Sequence, residues 1–424
     1  MLAMGALRVA NLVKCLPSHG WQPVVVTISP HSDFYMQTGP LEIPSPIEVH
    51  RTRDWSFHQR LIYFSRALGW SRPGEVELSK RRKRRCFSLL GRLVTTAYRQ
   101  LVCFPDEAIL WYAIEYRRIR AIAREVKPKV LFSSSLPNTS HLIAHRLSRE
   151  LNIPWVAEFR DLWTQNHLLK RAPPLRWIER GLERRVIRRA NALVTVSPPL
   201  ARQLETFHRK PVYVVPNGFD ESELHAGAYP QNNAFTITHT GMIYPGKRDP
   251  QPLFHALTEL LQDGMLSDQE VRVSFYGRKL EHLERLLERY PKIASMISLV
   301  GEVSHQEAMG QQRNSTILLL LEWTDPRAKG VYTGKVFEYL AAKRPILAIG
   351  PKGGVIEELL NETGAGVLVS TAEEVKTALM EWLSALSNEG SVPYCGDERA
   401  IRQYSWQEQA RKLANLLDRV VEGG

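Results

Sequence analysis

Short apolar runs alternate with amphipathic stretches along most of this chain. "PVVVTI" (23–28), "KVLFSSS" (129–135), "PWVAEF" (154–159) and "ALVTVS" (192–197) are apolar or rich in β-branched residues and predict strands. "TSHLIAHRLSREL" (139–151) and "RWIERGLERRVIRRA" (176–190) carry apolar positions at helical spacing and predict helices between them. The scheme repeats in the second half, with strands expected at "FTITHTG" (235–241), "VRVSFYG" (271–277), "ISLVG" (297–301), "TILLLL" (316–321) and "PILAIG" (345–350). Near-continuous apolar strands separated by helices predict parallel sheets covered on both faces, and two such series predict two doubly wound α/β domains.

The boundary is expected at "VYVVPNGFDESEL" (212–224), where an apolar strand runs into Pro216-Asn217-Gly218. This gives an N-terminal domain over 1–215, a C-terminal domain over 216–400, and a terminal helix over 401–424 expected to pack back on the first domain. Ligands of open α/β sheets bind outside the carboxyl ends of the strands, so two facing domains would hold them in the cleft between. Residues 55–105 break the alternation and contain "KRRKRR" (80–85), near Trp55, Phe57, Phe64 and Trp70. Such a run is either a solvated charge cluster or, with its aromatic neighbours, a patch for an anionic membrane surface. A nucleic-acid partner is not expected.

Composition narrows the partners rather than the fold. The 424 residues suffice for two or three domains, and the formal net charge of +12 points to anionic surfaces or substrates. Four scattered cysteines (Cys15, Cys86, Cys103, Cys395) form no paired motif, so a reducing compartment, the cytoplasm, is expected. No apolar run is long enough to span a bilayer.

Three clusters carry chemistry. "GVYTGKVFEYLAAKRPILAIG" (330–350) starts a helix at Thr333 and Gly334, where free N–H groups attract an anion; Lys335 adds a cation, and Glu338 lies on the same helix face. The pair could equally be a surface salt bridge. "HTGMIYPGKRDP" (239–250) closes a strand at Gly241 and sets Lys247 and Arg248 in the loop that follows, which suits a diphosphate. In the first half, His141 stands early in a helix, and Arg160 and Asp161 follow a strand. No Asp-x-Asp pair occurs to bridge a metal to a nucleotide diphosphate, and no GxGxxG or Walker pattern occurs.

Taken in order, "GALRVANLVKCLPSHGW" (5–21), "VLFSSSLPNTSHLIA" (130–144), "AEFRDLWT" (157–164), "VTVSPPLARQL" (194–204), "VVPNGFD" (214–220), "TGMIYPGKRDP" (240–250) and "TGKVFEYLAAKRPILAIGPKGGVIEEL" (333–359) resemble a family 4 glycosyltransferase of the GT-B fold. The resemblance spans nearly the whole chain outside about 30–125. It implies two Rossmann-like domains facing across a cleft. The C-terminal domain would hold a nucleotide-sugar donor, and the N-terminal domain a glycan or polyprenyl-linked acceptor. Transfer would be of the hexosyltransferase type, retaining and metal-independent, with no cofactor beyond the donor as co-substrate. The setting would be cell-surface glycan assembly on the inner face of the membrane. On the matching positions, Lys247 would neutralise the leaving diphosphate, Glu338 would hold the ribose hydroxyls, and Thr333 and Gly334 would face the phosphates. His141 and Asp161 would serve the acceptor side, with Gly5, Arg160, Gly241, Arg248 and Lys335 contributing to substrate binding.

Gly330 stands where the first glutamate of the paired motif falls, and Glu322 or Asp325 would replace it only with a rearranged loop. Met242 stands where an arginine is usual. The pattern also places a strand before the loop at Met4-Gly5, so the chain is expected to begin upstream of Met1 and to be less stable and less active in the present form. The alternatives are an inactive or truncated GT-B protein, or a GT-B nucleotide-sugar epimerase.

Overall fold

The structure, a computed structural model, describes residues 4–29, 47–53, 104–166, 171–224 and 234–423. The basic run at 80–85 and its aromatic neighbours lie outside these residues. The chain divides into two compact units at Val215/Pro216, and the last stretch, Lys412–Gly424, belongs with the first unit.

In the first unit β3 (Leu131–Ser135), β4 (Trp155–Phe159), β5 (Ala192–Thr195) and β6 (Val212–Val214) form a parallel sheet in that order. Every residue of β4 and β5 is buried, as strands covered on both faces must be. Trp155, Phe159, Trp163, Ile187 and Leu193 build the main core. The helices α2 (Ile109–Val126), α3 (Thr139–Leu151), α4 (Pro173–Ile187) and α5 (Pro198–His208) supply much of the cover. Ahead of them come α1 (Met4–Cys15), β1 (Val24–Ile28) and β2 (Glu48–Thr52). The last two pair in parallel with each other as a separate two-stranded sheet. Val26 of β1 packs on the same cluster as Leu131 of β3, formed by Tyr116, Ile119, Ala123, Ile143 and Leu147. Gly5 is part of the first turn of α1 rather than of a loop.

The second unit holds a six-stranded parallel sheet. Its members are β7 (Phe235–Thr240), β8 (Val271–Tyr276), β9 (Ile297–Gly301), β10 (Ile317–Leu321), β11 (Ile346–Ile349) and β12 (Gly366–Val369), in the spatial order β12-β11-β10-β7-β8-β9. Residue alternation splits β10 between two cores. Ile317, Leu319 and Leu321 join Phe254 and Leu257 of α6 (Gln251–Gln262) on one face. Leu318 and Leu320 meet Val336, Phe337, Tyr339 and Leu340 of α9 (Gly334–Ala342) on the other. Helices α7 (Glu281–Leu287), α8 (His305–Arg313), α10 (Val355–Thr363), α11 (Ala372–Glu389), α12 (Glu398–Arg402) and α13 (Trp406–Glu422) complete the order. The strand order reverses between β7 and β10, so the connections after these two strands leave toward opposite faces and open a crevice at their carboxyl ends.

Candidate functional site

The residues expected to bind a donor gather at that crevice. β7 is followed by Gly241, whose N–H donates to the Tyr276 carbonyl at 2.7 Å and whose φ is +149°. β8 is followed by Gly277, pressed so close that a Cβ there would stand 2.0 Å from the Gly241 carbonyl oxygen. The backbone therefore fills a space that no side chain could share. A Cβ on Gly241 would meet His239 Nε2 at 3.5 Å and Lys335 Cε at 3.7 Å.

α9 points its N-terminus into the same place. Thr333 occupies the N-cap in an extended conformation (ψ 135°) with no side-chain cap, which leaves first-turn N–H groups available to an anion. The buried stripe Val336, Phe337, Tyr339 and Leu340 fixes the helix and turns Lys335 and Glu338 outward. Lys335 Nζ meets Glu338 Oε2 at 2.9 Å, and Gln312 Nε2 reaches the same oxygen at 3.4 Å while donating to Thr240 Oγ1 at 2.9 Å. Tyr339 accepts from the Thr240 N–H at 2.9 Å, tying the helix to the strand end.

The loop after β7 supplies the cations. An Arg248 terminal nitrogen approaches Thr333 Oγ1 at 3.4 Å, and Arg248 Nε is buried without a partner. Lys247 is exposed, its ammonium 4.7 Å from the centre of the Trp323 ring. Its carbonyl accepts from the Thr324 N–H at 2.8 Å, joining this loop to the end of β10.

Two buried titratable groups complete the crevice. His239 Nδ1 lies 2.9 Å from the Leu319 carbonyl and so must carry the proton, leaving Nε2 as an unpartnered acceptor. Burial, with Arg248 and Lys335 nearby, lowers its pKa to about 4. Glu322 follows β10 directly; burial pushes its carboxyl up to about 7 against the pull of Arg248, and Oε1 has no partner.

Residues 75–223 match the model of Glycosyltransferase Family 4. The matched segment is similar to family 4 glycosyltransferases. The match bears out the resemblance carried by the motifs and extends it into 75–125, where they were silent. No curated protein sequence is similar enough to count as a relative. Solved structures are similar over the full length. A glycosyltransferase from Rickettsia africae ESF-5 aligns at TM-score 0.63 and 14% identity, over 100% of this chain and 97% of its own. The lipopolysaccharide outer core galactosyltransferase WaaB, in its apo form, gives 0.56 and 11%, over 100% and 96%. Anabaena HepE in complex with UDP-glucose gives 0.52 and 12%, over 99% and 94%. The fold is GT-B, as expected.

In the first unit the expected residues do not converge. His141 is fully enclosed, with its ring 4.8 Å from that of Phe159 and Nδ1 2.8 Å from Ser133 Oγ. Burial, with His208 and Arg160, drives its pKa to about 3. The expectation of a catalytic histidine facing an acceptor gives way to a packed interior one. Arg160 donates to the carbonyls of Ser135 and Leu136 and so secures the turn after β3; Asp161 beside it is exposed. Sequence reasoning missed Gln312, His239 and Gly277 and offered Glu322 only as a substitute. The rule that ligands lie at strand carboxyl ends would have found the last three; for Gln312, in a polar helix, no sequence signal exists.

Proposed function

We propose that this glycosyltransferase moves a sugar from a nucleotide-sugar donor to a glycan or polyprenyl-linked acceptor, with retention and without a metal, in cell-surface glycan assembly. What carries the donor half is the contact-linked set Gly241, Arg248, Thr333, Lys335 and Glu338 at the reversal point of the second sheet. The diphosphate would lie against the open N-terminus of α9, between Arg248 and Lys335. Glu338 uses Oε2 for its internal bonds, and Oε1 is left for ribose hydroxyls. Lys247, on the exposed loop, would meet charge that grows on the departing diphosphate. The bound UDP-glucose of HepE supports a donor of this class, and WaaB supports a lipid-linked saccharide as acceptor. Asp161 is the acceptor-side candidate, being exposed. The enzyme would act at the cytoplasmic face of a membrane.

Incubation with a panel of nucleotide sugars, in the presence of a chelator, tests the reading. Transfer or slow hydrolysis with the anomeric configuration kept is expected; an isomerised nucleotide sugar would instead make the protein an epimerase, and no turnover or binding would make it inactive. Glu338→Ala should weaken nucleotide affinity by about 1.5–3 kcal/mol, the scale of a hydrogen bond to a charged group. Lys247→Ala should lower kcat more than it raises KM. Wild-type kinetics in both variants would remove this site from the account.

A further inference from the structure

α4 is amphipathic in an unusual sense. Its carboxylates face inward: Glu179 accepts from Trp163 Nε1 at 3.0 Å and pairs with Arg171 at 2.7 Å, while Glu183 takes the Thr164 N–H at 3.1 Å and His208 at 3.1 Å. Its outward stripe, at helical spacing, runs Pro174, Trp177, Ile178, Gly181, Arg184, Arg185 and Arg188, the last just beyond the final turn. Trp177 is 80% and Ile178 60% exposed, and they are neighbours on one turn. No acidic group among the described residues pairs with Arg185 or Arg188.

A groove of about 390 Å³ continues this surface between α2, α3 and α4. Leu142, Leu182 and Val186 line it, with Arg149 and Arg185 at its rim. Glu150 on α3 is already taken up by Arg120 and Arg146, so its charge does not offset the rim. A water-exposed Trp-Ile pair about two to three turns from three arginines suits an interface that is apolar below and anionic at its surface. A nucleic acid would use the cations but leave Ile178 in water.

We propose that α4 docks on an anionic lipid bilayer, with Trp177 and Ile178 inserted between the headgroups and Arg184, Arg185 and Arg188 resting on lipid phosphates. The groove beside Arg149 and Arg185 would receive one headgroup. This rests on the membrane setting of the proposed function but assigns the contact to α4 rather than to the basic run at 80–85. Donor chemistry in the other unit does not depend on it.

The test is co-sedimentation of the full chain with phosphatidylcholine vesicles, with and without phosphatidylglycerol. Partitioning is expected only with the anionic lipid. Replacing Trp177 and Ile178 by Ala should lower it at least tenfold, roughly the worth of burying one such side chain. Arg184→Gln, Arg185→Gln and Arg188→Gln together should lower it roughly a hundredfold, about fivefold per cation. All five side chains are exposed and Arg184 alone stacks on another helix, over the Phe207 ring at 4.5 Å, so melting temperature should move little and donor hydrolysis should stay at the wild-type value. A variant neutralised at 81–85 should still bind. The proposal falls if both α4 variants partition like the wild type, if neutral vesicles bind equally well, or if only the 81–85 variant loses binding. In that last outcome the membrane reading stands and its location moves.

Discussion

Glu322 enters the interior at the end of β10, where a Cβ on the neighbouring Gly350 would already come within 2.5 Å of its own Cβ. Burial holds its carboxyl near 7, above the ordinary 4.5. A group whose folded pKa is raised keeps its proton in the native state while the unfolded chain loses it. Its contribution is therefore fully present below pH 4.5 and is lost as pH rises through 7. Glu322→Gln should abolish that loss and raise stability at pH 8 by up to about 3 kcal/mol, since each tenfold difference in proton affinity between the folded and unfolded states is worth roughly 1.4 kcal/mol. Urea unfolding of both proteins at pH 5 and pH 8 checks it. An unchanged difference between the two pH values would mean that Glu322 ionises freely in the native protein. His239 and His141 act in the opposite sense: both stay neutral inside, so each costs stability as pH falls below 6.5.

α1 is held by one buried ion pair. Arg8 places Nε and a terminal nitrogen at 3.0 and 2.8 Å from Glu158 Oε1, and donates to the Val215 carbonyl at 2.7 Å. Ser134 covers the other oxygen of Glu158. The helix is thereby fixed to the centre of the sheet and to Val215, where the chain passes into the second unit. Breaking such a pair from one side strands a buried charge, so Arg8→Ala should cost about 3–5 kcal/mol. Arg8→Met with Glu158→Leu should cost clearly less, because no charge remains to be desolvated. Chemical denaturation of the three proteins decides it. A loss under about 1 kcal/mol in Arg8→Ala would show that Glu158 has other support.

The two units have separate cores, and the residues proposed to bind the donor belong to the second alone. A ligand that prefers the folded form stabilises by about 2.7 kcal/mol at a hundredfold excess over its Kd. Nucleotide sugar should therefore raise the calorimetric transition that Glu338→Ala leaves unresponsive, and the transition that moves with Arg8→Ala should respond less. A ligand shift confined to the latter would place the donor in the wrong unit. Among the described residues no helix is long and apolar enough to cross a membrane.

Strands such as β4, β7, β8 and β10 were legible because burial on both faces demands unbroken apolar runs, and the chain supplies them within a residue or two of the observed ends. β2 was not: "EVHRT" is polar, and only pairing with β1 makes it a strand. β12 was missed because it opens on Gly366, a poor strand former that stands where a Cβ would lie 2.1 Å from the Ile346 carbonyl. The same division runs through the site. Glu338, Lys335, Thr333 and Lys247 could be read because helix starts and strand ends announce themselves locally, through caps, glycines and the period of the apolar stripe. The burial of His141, and the meeting of Gln312 with Glu338 across 26 residues, depend on which elements pack together. Local sequence carries periodicity and turn chemistry; it carries no record of which face of a helix another strand will cover, and that alone turned a candidate catalyst into core and a polar helix residue into part of the site.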